Sequence, residues 1–261
     1  MTETVAGTLN SIRKGKTIMK RFFSMLLLTL LSLNLSQAQT KNRPDQLQMS
    51  TYVVGLLYKG PIWTAEKTPK TESLQAGHMA NIKKMAEKGK LMAAGPIGDT
   101  GQLRGIFIFR ADSITEIKPL AEADPAIQAS RLKIDYRTWW GQKGIGETFA
   151  AAHKKNPEMK VEMTQYQLVF LLSGPKAISN SGKELEKLQE KHLEHIFKML
   201  DKKKATVAGP FMEDTELRGI MVFQVGSVAE AKRLAEEDPA VKAGRLKVEI
   251  HPWWVAKGVW P

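Results

Sequence analysis

With 43% hydrophobic and 25% charged side chains, the 261-residue chain has the composition of a globular protein that buries a real core, in one or two domains. The absence of cysteine excludes disulfides, a lipid-modified cysteine anchor and a thiol nucleophile. Of the net charge of +12, the first 38 residues supply +4 through five cations set against Glu3. The remaining cations are interspersed with acids, as across Lys183–Lys204, which reads as a solvated basic surface with no nucleic-acid partner.

In chain order, Met19-Lys20-Arg21 opens a short basic region, and the apolar run from Phe22 to Leu35 follows it. Ser36-Gln37-Ala38 then places small residues at the two positions flanking a signal-peptidase cut. The apolar run is shorter than the ~20 residues of a membrane span. Residues 1–38 are therefore expected to be an upstream extension, with Met19 as the start, followed by a signal peptide. The mature protein is expected to be periplasmic or secreted, with no membrane association after cleavage. Residues 39–51 form a polar lead-in.

From Tyr52 onward the chain is written twice. Leu120–Trp140 (LAEADPAIQASRLKIDYRTWW) recurs as Leu234–Trp254 (LAEEDPAVKAGRLKVEIHPWW), and the offset of 114 holds without a gap for Gly60-Pro61, His78, Gly95-Pro96, Leu103-Arg104-Gly105 and Lys143-Gly144. Two copies of domain size indicate a duplication, with domains at 52–144 and 164–261 joined by a partly helical linker at 145–163. Within each copy, Tyr52–Tyr58 and Tyr166–Leu172 are apolar runs closed by Gly-Pro and are expected to be strands. Pro69–Gly89 and Gly182–Lys203 are expected to be long amphipathic helices, the second opened by a Ser181/Glu184 capping box. Leu91–Ala94 and Thr206–Ala208 are short strands. The turns Asp99–Gln102 and Glu213–Glu216 lead into the strands Gly105–Phe109 and Gly219–Phe223. Capping boxes at Ser113/Glu116 and Ser227/Glu230 open second helices. The alternating Arg131–Tyr136 and Arg245–Ile250 are half-buried last strands that end at Trp139-Trp140 and Trp253-Trp254. Each copy thus reads as βαββαβ, a ferredoxin-like α+β unit whose bare sheet face has to be covered by its twin.

The residues able to do chemistry recur with the repeat. His78 lies at helical spacing with Leu74, Ile82 and Met85, and His192 with Leu188, Ile196 and Met199, on the sheet-facing stripe. Such a position suits a core histidine and a functional one about equally. Asp124-Pro125 and Asp238-Pro239 pair the preferred N-cap with the preferred first helical residue. A capping carboxylate of this kind can also orient an imidazole. Gly95-Pro96 and Gly209-Pro210 close strands where backbone can approach something else. Arg104, Arg131, Arg218 and Arg245 start strands, where they can meet an anionic ligand or form surface ion pairs. His192, His195 and Asp238 have the spacing of a metal site, but Asn81 replaces the second histidine in the first copy, so no metal is expected.

A helical His, then Ala-Gly-Pro, Leu-Arg-Gly, Asp-Pro-Ala and a closing Arg-Leu-Lys strand together resemble the YciI-like (YCII-related) domain family, twice over, across Tyr52–Gly144 and Tyr166–Gly258. The resemblance implies two ferredoxin-like units paired as a dimeric α/β barrel, here within one chain. It also implies acid–base pairs His78 with Asp124 and His192 with Asp238. A small-molecule ligand is implied, but no cofactor. Members commonly have a second His one turn after the first. His195 fits that pattern and Asn81 does not, so the second site is expected to be the more competent.

The expected function is acid–base chemistry on a small carbonyl or cyclic molecule by an exported protein; the alternative is a non-catalytic ligand-binding or structural barrel. The leader makes its own prediction. Intact-mass measurement of the protein exported by its native host should place the N-terminus at or next to Gln39, and recovery of residues 1–38 on exported protein would refute the assignment.

Overall fold

The computed structural model describes residues 47–177 and 182–261. The leader and most of the lead-in lie outside those residues, as does Ser181 of the expected capping box. In order, the first half comprises β1 (Met49–Lys59), α1 (Pro69–Glu87), β2 (Leu91–Pro96), β3 (Leu103–Phe109), α2 (Ile114–Glu122), α3 (Pro125–Gln128) and β4 (Leu132–Gln142). After α4 (Glu147–Lys155) in the linker, the second half repeats the series as β5 (Met163–Ser173), α5 (Lys183–Asp201), β6 (Ala205–Pro210), β7 (Leu217–Phe223), α6 (Val228–Glu236), α7 (Pro239–Lys242) and β8 (Leu246–Ala256). Each half forms an antiparallel four-stranded sheet, ordered β2-β3-β1-β4 in one and β6-β7-β5-β8 in the other. Even the irregularities are duplicated, with a register shift at Leu57/Tyr58 and again at Leu171/Leu172.

The period-two alternation of the central strands sends side chains to two different cores. From β1, Val53 and Leu57 face the helices and pack with Met85, Phe107, Phe109 and Ile117. Val54 and Leu56 face the other way, into a core shared with Leu168, Phe170, Ile220 and Val222 of the second half. The two sheets therefore cover each other, and the chain is an intrachain pseudo-dimeric α/β barrel with its helices outside.

The last strands run further than the alternation predicts. β1 pairs with β4 all the way from Lys59↔Leu132 to Met49↔Gln142, so the Trp pairs lie inside the strands rather than at their ends. Trp139 and Trp253 are fully buried in the shared core, whereas Trp140 and Trp254 point outward and are half exposed. The second helices are capped by Ser113 and Ser227, but only one half of each box forms. The Ser oxygen accepts from the amide of Glu116 or Glu230, while Glu116 turns to the Asp112 amide and to Lys90 instead of to the cap residue.

The seams between halves are built by the same residues twice. The Trp253 indole N–H donates to the Gly95 carbonyl at 3.1 Å, and that of Trp139 to the Gly209 carbonyl at 3.0 Å. Single bridges Ile97↔Trp253 and Trp139↔Phe211 continue each sheet onto the other. An ideal Cβ on Gly95 would lie 1.7 Å from the Trp254 carbonyl oxygen, and one on Gly209 would lie 1.9 Å from that of Trp140. No side chain fits there without moving backbone. We expect Gly95→Ala and Gly209→Ala each to cost about 1–3 kcal/mol or more. Gly226→Ala, where a Cβ meets nothing within 4 Å, should change stability by less than about 0.5 kcal/mol. Denaturant melts of the three variants check this, and equal stability of all three would contradict the seam geometry.

Candidate functional site

Asp124 and Asp238 are the N-caps of the four-residue helices α3 and α7, as Asp-Pro dictates. One carboxylate oxygen, Oδ1, accepts the amide of Ala126 at 2.9 Å, or of Ala240 at 2.8 Å in the second half. The other oxygen, Oδ2, meets a histidine ring. His78 Nδ1 lies 2.7 Å from Asp124 Oδ2, and His192 Nδ1 lies 2.7 Å from Asp238 Oδ2. The capping and orienting roles foreseen as alternatives thus reside in the two oxygens of one side chain. Both carboxylates are almost completely buried, at 0% and 2% exposure. A buried carboxylate without such partners is strongly unfavourable, so the cap and the ring together make the position tenable.

An acceptor at Nδ1 fixes each imidazole as the Nδ1–H tautomer and leaves the lone pair on Nε2. Neither Nε2 has a protein partner among the described residues, and neither is sealed from solvent. The ring walls differ between halves. His78 stacks on Phe107 with centroids 5.9 Å apart, and Met221 stands at the equivalent position of the second half. In the first half the glycine before the histidine lets α1 close onto α3, since a Cβ on Gly77 would lie 2.8 Å from the Pro125 ring.

His195 does not join His192. It occupies the slot of Asn81, and both residues are buried. The Asn81 amide donates to the Leu120 carbonyl at 3.2 Å, and the His195 ring donates to the matching carbonyl of Leu234, leaving Nε2 buried with no partner. The position one turn after the catalytic candidate therefore ties each long helix to α2 or α6, the helix that carries Leu120 or Leu234. It does not set the tautomer of His192. Among the described residues no three metal-ligating side chains converge.

The remaining candidates lie elsewhere. Gly95, Pro96, Gly209 and Pro210 sit at the seams just described, where what the backbone approaches is the other half. Arg104 and Arg131 lie at the starts of β3 and β4 with their guanidiniums 5.4 and 4.5 Å from the Trp63 ring. Arg218 pairs with Asp214 and donates to the Thr215 carbonyl, while Arg245 donates to the Ala177 carbonyl. Clefts among the described residues include two at the surface. One of about 800 Å³ is lined by Arg218 and Arg245. The other, of about 760 Å³, lies between the halves near Gln142 and Leu200. Neither is lined by His78 or His192.

Sequence reasoning missed one cluster. His251 bridges the halves, with Nδ1 2.6 Å from Asp99 Oδ2 and Nε2 2.9 Å from Glu249 Oε1. Burial alone would raise the Asp99 carboxyl, but hydrogen bonds from His251 and from the Gly101 amide hold it below the ordinary carboxylate value. The repeat carried a signal, because the equivalent of His251 is Arg137, a cation paired two residues back with Asp135.

Comparison with known proteins agrees with this architecture. Among solved structures, a mutant chlorite dismutase from Candidatus Nitrospira defluvii superposes with a TM-score of 0.51 at 9% identity, over 82% of this chain and 93% of that one. The chlorite dismutase of the same organism in complex with imidazole superposes at 0.50 with 9% identity, over 80% of this chain and 92% of that one. At such identities the likeness is one of fold alone. No curated protein sequence matches. The YCII-related domain model matches residues 53–137 and again 167–254, the two stretches that carry the repeated His, the Asp-Pro cap and the seam glycines Gly95 and Gly209. The chain therefore belongs to the YCII-related domain family, as two tandem copies paired within one polypeptide.

Proposed function

We propose that each half is an acid–base site acting on a small carbonyl-containing or cyclic molecule outside the cytoplasm, with His78–Asp124 and His192–Asp238 as the reacting pairs. The observation that carries this reading is the hydrogen bond from each Nδ1 to a buried carboxylate, which leaves Nε2 as a basic nitrogen reachable from solvent. In the reaction, Nε2 takes a proton from an acidic C–H or O–H of the bound molecule. The resulting imidazolium is stabilised by the adjacent carboxylate, and the same N–H then returns the proton at a different atom. The carboxylate does not itself take up the proton. The export component rests on the leader alone.

A second reading has an observation of its own. The same Asp side chains hold the short helices in place, and the two clefts described above are lined by neither His78 nor His192, as expected if the pairs are structural clips around a ligand-binding or structural barrel.

The two readings separate on variants. In D2O, a panel of small ketones, enol lactones and keto acids is followed by NMR for solvent deuterium incorporation. His78→Ala and His192→Ala should each remove the exchange catalysed by their own half, and the double variant should fall by about 10²–10⁴ overall. Because both rings have matched partners, we expect losses of similar size at the two sites, in place of the dominance of the second that its additional histidine suggested. Asp124→Asn and Asp238→Asn keep a good N-cap but present an amide to Nδ1, so activity should fall without a capping loss. The corresponding Ala variants should add about 1 kcal/mol of destabilisation. Full exchange by the double His variant would refute the acid–base reading and leave the clip.

His195 makes a separate prediction. Burial pushes its imidazole below the ordinary histidine value, against the opposing pull of Asp238 and of the Leu234 carbonyl. The folded state then binds fewer protons at this site than the unfolded chain, which titrates near 6.5. The stability the neutral ring contributes is present above about pH 6.5 and is lost as the pH falls through the depressed folded value. His195→Asn, which restores the Asn81 arrangement, should be tolerated at pH 7.5 and should lose less stability than the wild type between pH 7 and 5. Parallel stability curves would rule this out.

A further inference from the structure

The two copies differ sharply where β1 and β5 run out. Past these strands the loops have the same backbone. Gly60 N–H donates to the Arg131 carbonyl at 2.9 Å and Trp63 N–H to the Gly60 carbonyl at 3.0 Å. In the second half Gly174 N–H donates to the Arg245 carbonyl at 2.7 Å and Ala177 N–H to the Gly174 carbonyl at 3.1 Å. On this shared frame the first half carries Trp63 and the second carries Ala177.

The Trp63 ring lies over the Arg131 guanidinium at 4.5 Å and near that of Arg104 at 5.4 Å. It covers them closely enough that Arg131 Nη1 and Arg104 Nε are buried with no hydrogen-bond partner. In the second half the same arginine pair, Arg245 and Arg218, lines an open cleft of about 800 Å³ with Ser173, Gly174, Pro175 and Ala177. The first half therefore shows what the frame accepts, a flat aromatic ring stacked on a guanidinium, a favourable cation–π arrangement. The second half has the frame and the arginines without the ring.

Charge refines the ligand. Arg218 is paired with Asp214, and Glu216, also on the cleft, is paired with Lys247. Arg245 has only a neutral partner, the Ala177 carbonyl, among the described residues. Among the described residues one guanidinium thus faces the cleft with its charge uncompensated, and a carboxylate on a ring stacked over it adds charge attraction to the cation–π contact.

We infer that the second half binds a planar aromatic carboxylate in this cleft, stacked on Arg245 in the place that Trp63 fills in the first half. The site contains none of the His–Asp residues and stands independently of their chemistry.

The test is isothermal titration calorimetry of the full mature chain with indole-3-acetate, 1-naphthoate and benzoate, and with neutral indole as control. At least one of the carboxylates should bind at one site per chain and more tightly than indole. Ala177→Trp, which installs the first half's plug, should weaken binding roughly tenfold or more, the scale of losing a guanidinium–ring stack. Trp63→Ala should raise the stoichiometry to two by opening the twin site. His192→Ala should bind as the wild type does, so a failure of the acid–base proposal is distinguishable from a failure of this one. Absence of saturable binding by all three carboxylates, or binding undiminished in Ala177→Trp, would overturn the inference.

Discussion

The seam between the two sheets is the constraint on which everything else depends. A ferredoxin-like unit has helices on one face of its sheet and nothing on the other, and the bare face here is Val54, Leu56, Ile106 and Ile108, with Leu168, Ile220 and Val222 opposite. Exposed, that surface would be insoluble; mutual burial turns it into the largest core of the molecule. At each seam a Trp indole donates to a Gly carbonyl, and the absence of a Cβ on that Gly lets the two strands touch. Fusion of the two units into one polypeptide makes their meeting intramolecular, so the seam forms at any protein concentration.

Because the barrel is closed by the inner faces, the outer faces are free to carry the polar machinery. The His–Asp pairs lie in the helix layers, between each long helix and the cap of the short helix that follows. There a single carboxylate terminates a helix and orients a ring, and hydrogen bonds from both hold it in place. Removal of the ring would strand a buried charge, which couples site integrity to local stability. The twofold occurrence of the arrangement reflects the duplicated backbone, and the differences between copies show where the constraint is loose. Asn81 and His195 satisfy the same carbonyl tie with different chemistry. Arg137 and His251 place different nitrogen groups over equivalent acids, and among the described residues His251 alone of the two reaches across to the other half.

The sequence by itself determined the repeat, the order of elements, the ferredoxin-like unit, the Asp-Pro caps and the need for one sheet to cover the other. Each of these follows from local rules: period-two and helical spacing, preferred cap residues, and an offset that never slips. It also paired the right His with the right Asp, although only through family resemblance, since 46 residues separate them. Only the tertiary structure decided which oxygen of Asp124 does which task, that Gly95 and Gly209 are seam contacts, and that His195 ties to Leu234 instead of supporting His192. The cross-half contact of His251 with Asp99 and the open cleft facing Ala177 belong to the same class. These features depend on where two segments far apart in the chain meet, and on the side-chain volume left when they do. Neither quantity is carried by spacing along the chain, which specifies the face of an element but not the neighbour that the face will touch.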